Sequence, residues 1–204
     1  MQFIYHITIF LFLFPLPQVQ DVPNGWTTEQ ISMANTAAKA GYLSEEEKKV
    51  ILIANLARID GELFSETYLD PYLADEKSTK YTRSLYRELK KVKDFPVFLP
   101  EEDLFSIALN HAEVSGKRGT VGHQRFEKRF KPLMWKYREV AENCAYGYSD
   151  ALDIVIRLLI DEGIDNLGHR KNLLNPKLNR IGVSIKPHKN FRMNCVMDFG
   201  AIPE

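Results

Sequence analysis

The sequence predicts an α+β domain, with helices layered on a short antiparallel sheet, and three observations carry that expectation. Several segments repeat apolar residues at helical spacing; Leu104, Ile107, Ala108, His111 and Ala112 fall at i, i+3, i+4, i+7 and i+8, which places His111 on a buried stripe. Two C-terminal segments, Arg180 to Lys186 and Arg192 to Phe199, alternate as strands, with Ile181, Val183 and Ile185 facing one way in the first and Met193, Cys195, Met197 and Phe199 in the second. Pro187-His188-Lys189-Asn190 between them predicts a hairpin. The run from Asp150 to Glu162 is apolar nearly all round, as befits a helix buried within such layers.

Taken in order, the chain opens with Phe3 to Leu16, an almost unbroken run of Phe, Ile and Leu. It is too short for a bilayer crossing of roughly 20 residues and fits a secretory signal peptide over residues 1–20. Residues 21–43 read as a lead-in segment, with turn residues Pro23-Asn24-Gly25 and a modest helix from Glu29 to Lys39 ended by Gly41. Ser44 and Glu47 form a capping box, and the helix they start carries Val50, Ile51, Ile53, Ala54, Ala57 and Ile59. Its polar members, Asn55 and Arg58, are expected to tie the helix to a neighbouring loop.

Leu63 to Pro100 is less regular, apart from a helix expected from about Lys80 to Lys93 whose cations form a solvated face. Glu101-Glu102-Asp103 suits the positive end of the helix that bears His111. Gly116, Gly119 and Gly122 make a loop that ends at His123. Phe126 to Tyr137, aromatic and basic and broken by Pro132, is expected to cover the core.

With 204 residues and 45% hydrophobic content, the chain can bury one good core. Lys+Arg and Asp+Glu balance at 27 each, which disfavours a nucleic-acid partner or any binding driven by net charge. Past the signal segment no membrane span is expected, so the compartment is secreted, periplasmic or cell-surface. Cys144 and Cys195 form an even pair in an oxidising compartment and are compatible with one disulfide, closing a loop of about 50 residues worth on the order of 4 kcal/mol. Two free, buried thiols are the alternative.

The functional residues concentrate in three pieces: Thr120-Val121-Gly122-His123, Val140-Ala141-Glu142-Asn143-Cys144-Ala145-Tyr146-Gly147, and Leu167-Gly168-His169-Arg170-Lys171-Asn172-Leu173-Leu174-Asn175-Pro176. Two imidazoles about 45 residues apart, one at a loop end and one at a helix start, can converge on a cation. Glu142 and Asp161 or Glu162 could orient the rings or serve as base to a bound water. No HExxH and no CxxC is present, so spacing alone is a weak argument for metal. His111 reads more simply as a satisfied core histidine, with the cleft wall as its other place. A Cys-His nucleophile at Cys144 is outweighed by disulfide pairing or burial.

These pieces, followed by Ile181-Gly182-Val183 and Asp198-Phe199-Gly200, resemble the CAP superfamily of cysteine-rich secretory proteins, antigen 5 and pathogenesis-related proteins (the SCP domain) in its bacterial form. The resemblance covers roughly Leu43 to Gly200 and sets the domain at residues 44–204. It implies a three-layer α-β-α sandwich with a cleft holding two His and two acidic residues. His123 and His169 match the motif histidines, which would hold zinc or another divalent metal, and Glu142 matches the Glu-Asn glutamate beside Asn143. The second acid falls at Asp161, or at Glu162 if the register slips by one.

The function implied is a metal-binding module with a lipid, sterol or peptide ligand in adjoining grooves. The alternatives are a metal-dependent peptidase or esterase with Glu142 and Asp161 as its catalytic carboxylates, and a structural surface protein with an inactive cleft. Two cysteines in place of a cysteine-rich framework put any borrowed toxin or channel role out of reach.

Overall fold

The computed structural model describes residues 22–203. The expected signal peptide lies outside the described residues, and no helix among them is long and apolar enough to cross a membrane. The elements run α1 (Thr28–Ala34), α2 (Glu45–Ile59), α3 (Gly61–Phe64), a π-helical turn (Ser65–Leu69), α4 (Asp70–Tyr72), α5 (Lys80–Leu89), β1 (Leu99–Pro100) and α6 (Glu102–Arg118). There follow α7 (Phe126–Phe130), a 3₁₀ turn (Lys131–Leu133), β2 (Glu139–Tyr146), α8 (Ala151–Ile160), α9 (Gly168–Leu173), β3 (Arg180–His188) and β4 (Arg192–Ala201). The four strands form one sheet in the order β1-β3-β4-β2, parallel between β1 and β3 and antiparallel elsewhere.

Strand alternation sorts the sheet into two faces. Cys195, Met197 and Phe199 of β4 and Ile181 and Val183 of β3 join the main core with α2 and α8, while Val196 and Cys144 pack with Ala108 and Ala112 of α6 on the other. The result is the α-β-α sandwich. Helix α6 lies so close to β3 that a Cβ on Gly182 would sit 2.1 Å from the Phe105 amide nitrogen, which explains the glycine in Ile181-Gly182-Val183.

The capping box forms as expected and also does tertiary work. Glu47 accepts from the Ser44 amide at 2.8 Å through one oxygen and from the Ile185 amide at 2.8 Å through the other, so one buried carboxylate both starts α2 and fixes it to β3. Asn55 and Arg58 bridge to loops as expected, with wider reach. The Asn55 amide donates to the carbonyls of Ala34 and Phe98 and accepts from the Phe98 amide. Arg58, fully buried, donates to the carbonyls of Pro96, Leu173, Asn175 and Leu178 at 2.7 to 3.0 Å and lies 4.0 Å over the Phe98 ring. Burial pulls its pKa down to about 9.

Several boundaries differ from expectation. Helix α1 stops at Ala34 with Asn35 as its C-cap, so Gly41 ends no helix. Residues 22–43 are woven into the core, with Trp26, Ala34, Ala37 and Leu43 buried in it and the Trp26 indole donating to Thr67 at 3.0 Å. The irregular stretch after Leu63 begins with a helical run as far as Tyr72, and α5 ends at Leu89 rather than Lys93. Strands β3 and β4 reach His188 and Arg192, which leaves only residues 189–191 for the turn.

The disulfide is a correction. Both thiols are free and buried. Cys195 is paired in register with Ala145, so Cys144 is offset by one residue and points to the opposite face of the sheet, where it cannot meet Cys195.

Candidate functional site

The candidate site is built around the outer edge of β2, the strand at the end of the sheet. Glu142 and Asn143 are consecutive there, so their side chains leave opposite faces. Glu142, its side chain 1% exposed, accepts from His123 Nδ1 at 2.8 Å. Asn143, fully buried, donates through Nδ2 to the backbone carbonyl of His169 at 3.0 Å and accepts from Asn172 Nδ2 at 2.8 Å. Asn172 also reaches the Glu142 carbonyl at 3.4 Å, so α9 is laced along the strand edge.

His169 is held by the loop between α8 and α9. Asp161 caps the end of α8 in the left-handed region (φ 55°), a conformation that is unusual for a residue with a Cβ. That turn aims its buried carboxylate at the start of α9: Oδ2 accepts from the amides of His169 at 2.9 Å and Arg170 at 3.3 Å, and Oδ1 from His169 Nδ1 at 2.7 Å. One acid thus supplies the cap that α9 lacks at Leu167 and orients the ring. Glu162 is exposed, and it is Asp161 whose carboxylate bonds to the His169 ring and amide.

The two rings are alike in one respect. Each Nδ1 is occupied by a buried carboxylate, which leaves Nε2 as the available ring nitrogen, and both rings keep access to solvent, His123 at 48% side-chain exposure and His169 at 22%. This is how carboxylates orient histidines that ligate metals.

Behind His123 lies a cluster in which sequence reasoning missed two members. Arg129, 11% exposed, donates from Nη2 to Glu142 Oε1 at 2.9 Å, and its Nη1 lies 2.7 Å from Oε2, too bent for a hydrogen bond. Asp198, fully buried, stands directly across the ladder from Glu142. Two carboxylates face to face in that position would repel. As long as both are ionised, Glu142 Oε2 and both Asp198 oxygens find no hydrogen-bond donor. A proton on Asp198 removes the repulsion and gives each carboxyl a partner. Burial, then the Glu142 charge, pushes the Asp198 carboxyl far above its ordinary range. Burial alone would raise Glu142 as well, but hydrogen bonds from His123, Arg129 and Asp198 outweigh it and hold that carboxyl down at about 2.

His111 is buried, its Nε2 2.9 Å from the Gly122 carbonyl and 3.9 Å from Glu142 Oε1, and burial lowers its pKa. With Glu142 and Cys144 it forms a compact His/Glu/Cys group whose ligand atoms lie within 4.8 Å of one another. That group suits a cation poorly. His111 Nε2 spends its proton on a carbonyl, Glu142 is neutralised by Arg129, and burial raises the Cys144 thiol so that it stays protonated. Tyr146 completes the wall by accepting from the Gly122 amide at 2.8 Å, which fixes the loop that ends in His123.

Helices on both faces of the sheet and His-acid pairs bordering its edge strand are what the resemblance to the CAP superfamily implied. The family model described as "CAP: Cysteine-rich secretory protein family" matches residues 93–199, just over half of the chain, and the chain belongs to that family. Among solved structures, an extracellular SCP-domain protein from Bacillus anthracis is 17% identical, with a TM-score of 0.47, over 76% of this chain and 41% of that one. An outer surface protein from Borrelia burgdorferi is 19% identical (TM-score 0.47; 62% and 96% covered), and venom allergen-like protein 4 of Schistosoma mansoni is 10% identical (TM-score 0.49; 79% and 92%). This chain therefore spans about two fifths of the Bacillus protein. No curated protein matches it significantly.

Proposed function

We propose that this is an exported CAP-domain binding protein. Its cleft, at the free edge of β2, takes a divalent metal such as zinc through Nε2 of His123 and His169. The observation that carries the reading is the pairing of each Nδ1 with a buried carboxylate, Glu142 for one ring and Asp161 for the other, which presents Nε2 outward as a lone-pair donor. Zinc bound there would supply Lewis acidity to whatever ligand shares it. Val121 and Ile164, exposed in the two loops that deliver the histidines, offer apolar contact to a lipid, sterol or peptide beside the metal. Neighbours described as extracellular or outer surface proteins are in keeping with export.

The hydrolase alternative asks Glu142 to act as general base. A carboxyl held at about 2 and already bonded to His123 and Arg129 is a weak base near neutral pH, which favours binding over catalysis. Zinc is expected to raise the melting temperature of the wild type by mass action, and His123→Ala with His169→Ala to abolish the rise. An unchanged melting curve at saturating zinc would retire the metal site and leave the structural surface protein. Turnover of a peptide or ester library that disappears in Glu142→Gln would restore the enzyme.

A further inference from the structure

A second concave site lies on the other side of Arg129. A cavity of about 390 Å³ opens between the C-terminal half of α6, the loop through Thr120 and α7, and Arg118, Arg125, Lys128 and Arg129 all line it. No carboxylate is among its lining residues. Arg129 is compensated by Glu142, but Arg118, Arg125 and Lys128 take part in no ion pair among the described residues. Arg125 holds its place at the start of α7 with φ 57°, in the left-handed region, so the chain maintains an uncommon backbone conformation where a cation is presented.

The chain is neutral overall, and its fully buried arginines, Arg58 and Arg170, are spent on carbonyls, whereas Arg118, Arg125 and Lys128 are exposed to solvent around the hollow. Three uncompensated cations around one hollow of small-ligand size raise the local potential and concentrate anions. Guanidinium forks match the oxygens of phosphate in two-point contacts, and the hydroxyl of Thr120, which also lines the hollow, adds a neutral donor. A singly charged carboxylate would leave two of the three cations unanswered. A ligand carrying two or more phosphate charges matches them.

We propose that the α6-α7 cavity is a binding site for a small, multiply charged phosphate ligand, held by Arg118, Arg125 and Lys128 over a floor formed by Arg129. The site does not depend on metal at His123 and His169. Because Arg129 also grips Glu142, an occupant of the cavity lies one side chain away from the His123 pair.

The test uses inorganic pyrophosphate as the probe. Calorimetric titration of the full chain at fixed ionic strength is expected to show saturable one-to-one binding. Arg118→Ser with Lys128→Ser, both exposed, is expected to weaken it by about a hundredfold, roughly tenfold for each lost charge-assisted contact. Arg118→Lys, which keeps the charge but loses the fork, should weaken binding less than Arg118→Ser, and an unchanged melting temperature checks the fold of each variant. Vesicles of phosphatidylcholine with and without phosphatidic acid separate the sources of the phosphate. Binding to the acidic vesicles that pyrophosphate displaces assigns the cavity to a lipid headgroup, and pyrophosphate binding without vesicle binding assigns it to a soluble ligand. No binding of pyrophosphate, equal affinity in the double variant, or vesicle binding that pyrophosphate leaves intact overturns the proposal. The zinc response of the double variant is a separate readout, so either site can fail alone.

Discussion

Asp198→Asn should make the protein more stable at neutral pH, by an amount that depends on pH in a defined direction. The native state keeps a proton on Asp198, buried opposite the Glu142 carboxylate, while the unfolded chain releases it above about 3.8. Folding therefore takes up a proton, so this group stabilises least where the unfolded carboxylate is ionised, and the wild type loses stability as pH rises above that value. Asparagine is neutral throughout and keeps an N–H to donate to Glu142. Above about 3.8 the advantage of Asp198→Asn should widen with pH, by up to ~1.4 kcal/mol for each unit over which native Asp198 stays protonated. For a chain of this size each such step is about 3–6 °C in melting temperature. Glu142 runs the other way: its carboxyl, held at about 2, gives stability that is present above 4.5 and fades as pH falls toward 2, in both proteins alike. Urea unfolding of both proteins across this pH range, followed by circular dichroism, reads the difference. Parallel stability curves, or a variant less stable by a constant amount at every pH, would refute the shared proton.

Arg58→Met should cost ~3–5 kcal/mol in urea unfolding, because it strips the donors from four carbonyls, one at the last residue of α9 and two in the segment after it; a loss under 1 kcal/mol would mean that water replaces the guanidinium. Asp161→Ala should weaken zinc binding by about 10–100-fold in calorimetry while Glu162→Ala leaves it unchanged, since only Asp161 reaches the His169 ring. Both thiols should resist a thiol reagent in the native state and react without reductant once the chain is unfolded; a mass showing a Cys144–Cys195 bond would contradict the opposed faces.

Most helices and the C-terminal hairpin were legible because their signals are local. Ser44 with Glu47 marks a helix start whatever surrounds it, and the alternation in β3 and β4 follows from one buried face. Strand β2 was not legible as a strand. It lies at the sheet edge beside the candidate site, so Glu139, Glu142 and Asn143 interrupt the apolar alternation that would have identified it. The boundary shifts have local causes as well: α1 ends when Asn35 leaves helical geometry, well before the glycine that marked its expected end.

At the candidate site, His123, Glu142, Asp161 and His169 could be named in advance, while Arg129 and Asp198 could not be given a role. Arg129 sat within a basic, aromatic stretch read as cover. Asp198 left a trace, as a lone carboxylate between Met197 and Phe199 on a buried strand, but its meaning depends on the cross-strand register with Glu142. Pairing across the sheet is a long-range fact that no short window contains.

Arg58 joins parts of the chain that are far apart in sequence: its acceptor at Leu178 is 120 residues away. The turn that follows the His169 helix is therefore clasped only after α2 has docked, which delays its final ordering until long-range contacts form. A fragment trimmed to the residues that carry the family's signature would lose that clasp, and Phe98 with it the cation that stacks on its ring. The recognisable stretch is thus shorter than the unit that folds.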